Sequence, residues 1–178
     1  MISDWNYLTK ARNGDEKACG FIFKKYNKSL IRMTALITGS IDAAKDIVQE
    51  TFVRLLNGKI KHQEGNFKSY VTTIAFRLAL KEKSRSLRIL EIKENHFEDT
   101  SSSPIEKQII KENQKHIFQV ITTLPEGQRE IIVLRFYGEH SYDEISEITQ
   151  LPLGTVKSRI FYAVKACREK LKEKGVLE

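Results

Sequence analysis

The chain has 178 residues, 40% of them hydrophobic and 30% charged, which is the composition of a globular protein with one large or two small domains. This length and composition exclude large multi-domain enzymes, disordered chains, collagen-like fibres and membrane proteins. Thirty basic against 23 acidic residues give a net charge of +7, which favours an anionic partner such as nucleic acid or a lipid surface.

The two cysteines and the N-terminus indicate the cellular compartment. Cys19 and Cys167 lie far apart without a C-x-x-C pattern, which favours a reduced protein with neither a disulfide framework nor a zinc cluster. The N-terminus has no basic start followed by an apolar run, and no stretch of 18 apolar residues occurs. We therefore expect a cytoplasmic protein with no membrane insertion.

Residues 1–88 combine a polar cluster with a basic segment. Ile47, Phe52 and Leu55 share one helical stripe, and three polar residues fall within one turn of the same helix. These are Asp46, Gln49 and Glu50. They form either a docking surface or a solvated helix face. Residues 59–88 hold eight basic and two acidic residues and are the most basic part of the chain.

A composition break predicts a linker at about residues 88–104. Small polar residues and Pro104 interrupt the helical period there, and residues 89–103 hold four acidic residues against Lys93. The chain has only three prolines and nine glycines, and no sustained alternation of apolar and polar residues. This pattern predicts an all-helical protein.

Two helices joined by a short turn are predicted after Gly138. The segment Ser141-Tyr142-Asp143-Glu144 has the form of a capping box, and the short helix that it begins is expected to bury Ile145 and Ile148. The next helix carries an inward apolar stripe. Its residues are Val156, Ile160, Ala163, Val164 and Cys167. The pair predicts a helix-turn-helix.

The opposite face of the second helix is polar and aromatic. The residues expected to point outward are Ser158, Phe161, Tyr162 and Lys165. A hydroxyl can bond to base edges and an aromatic edge can touch a thymine methyl, while Lys157, Arg159 and Lys165 can bind phosphates. The pattern favours a recognition helix in the DNA major groove. The alternative is an amphipathic helix whose charges are solvated or whose Phe161 packs on another domain.

Two groups of motifs extend over nearly the whole chain. The C-terminal group is Leu124-Pro125, Gln128-Arg129-Glu130, Leu134-Arg135, Ser141-Tyr142-Asp143-Glu144-Ile145 and Gly154-Thr155-Val156-Lys157-Ser158-Arg159. The N-terminal group is Gly14-Asp15, Asp46-Ile47-Val48-Gln49-Glu50-Thr51-Phe52 and Phe67-Lys68-Ser69-Tyr70-Val71. They resemble regions 4 and 2 of the extracytoplasmic-function sigma factors, the smallest group of bacterial sigma-70 type transcription initiation factors.

The resemblance implies an all-α chain of two small helical domains. These are a region 2 helical bundle at residues 1–88 and a region 4 helix-turn-helix at residues 105–178, joined by a flexible acidic, Ser-rich linker at residues 89–104. It also implies a non-enzymatic factor that binds core RNA polymerase and directs it to promoters by recognising the minus-35 element and the melted minus-10 element.

The resemblance assigns residues to each contact. The residues assigned to minus-35 DNA are Thr155, Lys157, Ser158, Arg159, Phe161, Tyr162 and Lys165. The residues assigned to minus-10 DNA are His62, Gln63, Glu64, Gly65, Asn66, Arg77 and Lys81. The loop 62–66 is equally compatible with an ordinary solvent-exposed loop. Asp46, Gln49 and Glu50 are expected to dock on the clamp helices of the polymerase β′ subunit, and region 4 on the β flap. An anti-sigma factor is a further expected partner, and in the holoenzyme the protein is expected to associate with the nucleoid.

Some residues depart from the family pattern where melted DNA is recognised. Tyr70 stands where Trp is usual, Arg77 where Asn is usual, and Lys81 where Asp is frequent. The two added cations lie four residues apart and should raise phosphate affinity while reducing base selectivity. Tyr162 replaces a frequent Arg in the recognition helix.

Two other functional classes fit the sequence less well. A helix-turn-helix regulator that never engages polymerase shares the C-terminal pattern, and a pull-down of core polymerase separates it from a sigma factor. For an enzyme, the four histidines are scattered, and the sequence has no Gly-rich phosphate loop or H-E-x-x-H motif. We therefore expect no catalytic site, cofactor or metal.

Overall fold

The computed structural model of the chain describes residues 3–58, 65–93 and 112–177, with side chains for 3–58, 65–88 and 116–177. Within these ranges the chain forms eight helices and no strand, which confirms the all-helical prediction. The helices are α1 Asp4–Arg12, α2 Glu16–Thr38, α3 Ile41–Asn57, α4 Phe67–Lys93, α5 Glu112–Thr122, α6 Glu126–Phe136, α7 Tyr142–Thr149 and α8 Leu153–Glu173. The chain divides into two compact units, Met1–Leu80 and Lys81–Glu178.

The first three helices each begin at a side-chain cap. Oxygens of Ser3, Asp15 and Ser40 accept hydrogen bonds from the backbone N–H three residues ahead, at 3.3, 3.0 and 3.2 Å. Each cap satisfies a backbone donor that the first helical turn leaves without an intrahelical partner. Gly39 ends α2 at a φ of +74°, in the left-handed region that a residue without a β-carbon adopts at low cost.

The core of the first unit lies between α1, α2 and α3, which pack on one another in all three pairs. Large side chains that are 2% exposed or less fill it, among them Leu8, Leu30, Met33, Leu36, Ile37, Val48 and Leu55. The part of α4 in this unit adds Val71, Ala75, Phe76 and Ala79, which are also buried. Arg12 ties α1 to α3, since its Nε donates to the backbone oxygen of Leu55 at 2.8 Å.

The core of the second unit is organised around α8, which packs against α5, α6 and α7. Its most buried side chains are Val120, Leu124, Ile131, Val133, Leu134, Ile145, Val156 and Ala163. Arg129 connects α6 to the end of α5, because its Nη2 donates to the backbone oxygens of Thr122 and Leu124 at 2.5 and 3.0 Å. This part of the Gln128-Arg129-Glu130 motif therefore has a structural role.

The structure describes only the first residues of the predicted linker. Helix α4 extends to Lys93, so residues 89–93 of the predicted linker are helical, and residues 94–104 lie outside the described residues. The division at residues 88 and 105 stays a prediction.

Candidate nucleic-acid interface

The turn between α7 and α8 is built as the sequence predicts. The Ser141 hydroxyl accepts from the Glu144 N–H at 3.1 Å, and the Glu144 carboxylate accepts from the Ser141 N–H at 2.8 Å, which completes the capping box. Ile145 and Ile148 are buried. Gln150 ends α7 in the left-handed region at a φ of +57°, and the chain turns directly into α8. The helix-turn-helix is confirmed.

The outward face of α8 consists of Ser158, Phe161, Tyr162 and Lys165 together with Lys157, all of them exposed. Phe161 and Tyr162 are 65% and 58% exposed, and their rings lie edge to face with centroids 5.4 Å apart. The Ser158 hydroxyl donates to the Thr155 backbone oxygen at 3.0 Å, which leaves the Ser158 oxygen available as an acceptor. Thr155 itself is half-buried.

The inward face of α8 is narrower than the sequence predicts. Val156, Ile160 and Ala163 are buried, and Cys167 is half-buried, but Val164 is 41% exposed. The prediction for Val164 was wrong because this side chain lines a groove between α5, α6 and α8 that is open to solvent. The groove is apolar, has a volume of about 360 Å³ and is lined by Ile117, Phe136, Val164, Leu171 and their neighbours. Burial at this groove raises the pKa of the Cys167 thiol.

Arg159 lies on the α6 side of α8 and is half-buried. A β-carbon placed on Gly127 of α6 would lie only 2.8 Å from Arg159 Nη1 and 3.3 Å from its Cζ. The guanidinium therefore occupies space that exists because residue 127 has no side chain. Sequence periodicity predicted Arg159 as a phosphate contact and gave no indication of this packing.

Two carboxylates of α6, Glu126 and Glu130, interact with each other, and Glu130 also interacts with Arg159. The Lys83 ammonium pairs with the Glu126 carboxylate at 2.8 Å and lowers its pKa through this hydrogen bond. Burial raises the pKa of Glu130, and the neighbouring Glu126 carboxylate raises it further, whereas Lys83 and Arg159 oppose the rise. All four residues belong to the second unit.

The polar cluster of α3 lies on the exposed face of that helix. Asp46, Gln49 and Glu50 are exposed, while Ile47, Phe52 and Leu55 are buried, as predicted from the helical period. Glu50 pairs with Arg54 at 2.7 Å, and both side chains are about half exposed. The cluster thus presents two carboxylates and an amide to solvent, on a helix whose opposite face is buried.

Of the predicted minus-10 residues, Gly65 and Asn66 are exposed and lie at the start of α4. Asn66 Oδ1 accepts hydrogen bonds from the N–H groups of Lys68 and Ser69 at 3.0 and 3.4 Å, so it initiates the helix. Arg77 and Lys81 are exposed on α4. His62, Gln63 and Glu64 lie outside the described residues.

Trp5 contacts this region, and the sequence interpretation missed it. Its indole Nε1 donates to the Gly65 backbone oxygen at 3.0 Å, and its ring contacts Phe67 edge to face and Tyr70 at a tilt, with centroids 4.9 and 5.2 Å apart. Trp5 is the single tryptophan of the chain and is 8% exposed. Nothing in the local pattern connects it to a residue 60 positions away.

Among the residues that the structure describes, no three or more His, Cys, Asp or Glu side chains are grouped as metal ligands would be. No helix in the described ranges is both long and apolar enough to cross a membrane. Cys19 and Cys167 are free thiols that belong to different units.

Both halves of the chain match established protein families. The family model for sigma-70 region 2 matches residues 22–88, and the model for sigma-70 region 4 matches residues 116–167. Together these matches span two-thirds of the chain.

Relatives of similar length match over nearly the whole chain. The ECF RNA polymerase sigma-E factors of Salmonella typhimurium and Escherichia coli K12 are 27% identical over 183 residues, covering 96% of this chain and 95% of the relative. The ECF RNA polymerase sigma factor SigW of Bacillus subtilis is 27% identical over 184 residues, covering 93% of this chain and 95% of the relative.

Two solved structures share the fold. The sigma factor RpoE of Bartonella quintana, in complex with the anti-sigma factor NepR, aligns with a TM-score of 0.68 at 22% identity, over 85% of this chain and 96% of that one. CnrH, in complex with the cytosolic domain of CnrY, aligns with a TM-score of 0.63 at 17% identity, over 96% of this chain and 97% of that one.

Proposed function

Because this chain belongs to the extracytoplasmic-function group of sigma-70 factors, we propose that its two units divide the work of promoter recognition between them. Sigma factors are not enzymes: they bind core RNA polymerase and direct it to promoters, and this chain is such a factor. In our proposal residues 1–88 bind polymerase and melted minus-10 DNA, and residues 105–178 bind minus-35 DNA. The acidic stretch at 89–104 links them.

The minus-35 assignment rests on the outward face of α8, the observation that carries the proposal. This face presents a hydroxyl acceptor and two exposed rings, while the opposite face of the helix buries Val156, Ile160 and Ala163. A helix fits the major groove of B-DNA, where an acceptor can bond an adenine or cytosine amino group and a ring edge can contact a thymine methyl. Lys157 and Lys165 flank the rings and suit phosphates, and Thr155 lies at the start of the helix.

The polymerase contact is assigned to Asp46, Gln49 and Glu50. These exposed side chains stand on a helix whose other face is locked into the core, so a partner meets them in a fixed arrangement. Carboxylates pair well with basic residues, and we assign the basic partner to the β′ clamp helices. The second unit is assigned a further contact with the β flap.

Minus-10 recognition is assigned to the start of α4 and the loop before it. Gly65 and Asn66 are exposed there beside Trp5, and the cations Arg77 and Lys81 follow along α4. Exposed amides suit the edge of an unstacked base, and cations suit the flanking phosphates. His62, Gln63 and Glu64 complete the assigned set.

Two further proposals concern cellular context. A structurally similar sigma factor is bound by an anti-sigma factor, and we propose an anti-sigma factor as a partner here too. We also propose that the protein acts in the cytoplasm and is associated with the nucleoid within the holoenzyme. The region 2 match favours a sigma factor over a helix-turn-helix regulator that never engages polymerase.

Co-purification with core RNA polymerase tests this proposal. The tagged full chain is expected to retain core enzyme on a column. The resulting holoenzyme is expected to protect both the minus-35 and the minus-10 element of a promoter fragment. Retention of core enzyme without promoter protection would reject the DNA assignments, and no retention would reject the docking assignment.

A further inference from the structure

We infer that Arg159 is a positioning residue, which holds the recognition helix α8 against α6 and does not bind a DNA phosphate. The inference rests on the proposed function, because it takes α8 to be the helix that contacts minus-35 DNA. It separates Arg159 from Lys157 and Lys165, the two exposed cations that bracket it on the same helix.

Arg159 packs at the boundary between α8 and α6. Arg159 follows the buried Val156 by three positions and precedes the buried Ala163 by four, so it borders the face that α8 turns toward the core. Its guanidinium lies against Gly127, where a β-carbon would come within 2.8 Å of Nη1. The planar group thus fits between two helices that pack on each other, α6 and α8.

The charges on α6 also favour this position of Arg159. Glu126 and Glu130 lie one turn apart on α6, an arrangement in which like charges destabilise a helix. Lys83 forms a 2.8 Å ion pair with Glu126, and the charges of Lys83 and, more weakly, Arg159 oppose the rise in the pKa of the half-buried Glu130. If Arg159 turned outward to a phosphate, Glu130 would keep the attraction of Lys83 but lose that of Arg159, which disfavours the outward position.

The position of α8 on α6 affects base recognition. Side chains that contact base edges must be held to within a fraction of an ångström, and the elements behind them determine whether they are. Ser158 and Phe161 flank Arg159 in the sequence, so a shift of α8 on α6 moves both of them relative to the groove.

The salt dependence of DNA binding distinguishes a phosphate ligand from a positioning residue. Each phosphate contact contributes roughly 0.9 to the slope of log affinity against log salt concentration. The experiment uses holoenzyme formed with core polymerase and a promoter duplex that the wild-type holoenzyme has selected from a randomised minus-35 library. We expect Lys165→Gln to make the slope shallower by roughly one unit. We expect Arg159→Gln to lower affinity about tenfold, a typical cost of one lost contact, with the wild-type slope.

Two more variants test the contact with α6. Gly127→Ala retains Arg159 but forces the end of its side chain to shift, so it should lower affinity in the same direction as Arg159→Gln and by less, again at the wild-type slope. Gly20→Ala is the matched control, because Gly20 is also helical and a β-carbon there meets nothing within 4 Å. Adding Glu130→Gln to Arg159→Gln should restore part of the lost affinity, since it removes the charge that Arg159 helps to offset.

The opposite pattern overturns the inference. If Arg159 binds a phosphate, Arg159→Gln makes the slope shallower by about one unit, Glu130→Gln does not rescue it, and Gly127→Ala leaves affinity unchanged or raised. Gly127→Ala decides the matter if Arg159→Gln does not fold, as judged by helix content. If the wild-type holoenzyme selects no minus-35 sequence, the proposed function fails; a selected sequence with the phosphate pattern rejects only the role given to Arg159.

Discussion

The indole Nε1 of Trp5 donates a hydrogen bond to the backbone oxygen of Gly65 at 3.0 Å, across 60 residues of sequence. Gly65 has a φ of +91°, a conformation that a side chain would make costly, so the chain is bent where Trp5 holds it. Phe67 contacts both Trp5 and Tyr26, and the Tyr26 hydroxyl bonds to Asp4 at 2.6 Å. The N-terminal helix therefore braces the residues assigned to the minus-10 element.

Replacement of Trp5 by Phe tests this brace. The variant keeps an aromatic ring but loses the N–H donor, so the free energy of unfolding should fall by about 1–3 kcal/mol from the lost hydrogen bond and reduced packing. Holoenzyme carrying it should form fewer open complexes while minus-35 affinity stays at the wild-type level. Urea unfolding and permanganate footprinting measure the two effects. Lys24→Arg, a change that keeps the charge at an exposed side chain of α2, is the control and should alter neither.

Charge reversal on α3 tests polymerase docking. Changing Asp46 and Glu50 together to Lys should weaken binding to core polymerase and leave helix content unchanged, because both side chains are exposed. Fluorescence anisotropy of the labelled chain, titrated with core enzyme, gives the affinity. The matched control reverses Glu169 and Glu173, two exposed acids four residues apart on α8. Equal affinities for the two double variants would remove α3 from the interface.

Substitutions on the outward face of α8 test base recognition. Ser158→Ala and Phe161→Ala should each change the preferred minus-35 sequence, by about 1–3 kcal/mol at individual base pairs. Lys165→Gln should instead weaken binding to all sequences alike. Selection from randomised duplexes measures both, and an unaltered motif for the two alanine variants would contradict the assignment.

Salt dependence tests the two cations of α4. If Arg77 and Lys81 contact phosphates of melted DNA, changing both to Gln should make open-complex formation less dependent on salt, so the loss relative to the wild type is larger at low salt than at raised salt. The matched control changes Lys10 and Lys17, two exposed lysines of the first unit, to Gln. Permanganate footprinting across a salt series compares the variants. Equal losses would show that Arg77 and Lys81 contribute only net charge.

The raised pKa of Glu130 predicts a pH dependence of stability. Burial and Glu126 raise this pKa above its ordinary value of 4.5, against the opposing effects of Lys83 and Arg159, so the folded state holds the proton more tightly than the unfolded state. The resulting stability is fully present below about pH 4.5 and is lost as pH rises through the folded pKa. Glu130→Gln removes this loss, so its advantage in thermal unfolding midpoint over the wild type should grow between pH 4 and pH 7. A difference that does not vary with pH would contradict the assignment.

The sequence predicts features that local chemistry decides. The capping box at Ser141 and Glu144 and the two faces of α3 depend on spacing within a single helix, and the structure confirms both. Val164 and Arg159 differ, because their environments depend on where α8 lies relative to α5 and α6. The bond from Trp5 to Gly65 joins elements far apart in sequence, which helical periodicity does not connect.

Transcription in vitro tests the central claim most directly. Core RNA polymerase is supplied with the full chain and a template library randomised at the minus-35 and minus-10 positions, and the templates that yield transcripts are sequenced. We predict that transcripts depend on the added chain and carry two motifs at fixed spacing, with Ser158→Ala and Phe161→Ala altering only the upstream motif. Transcripts with no enriched motif, or none above core polymerase alone, would contradict the account.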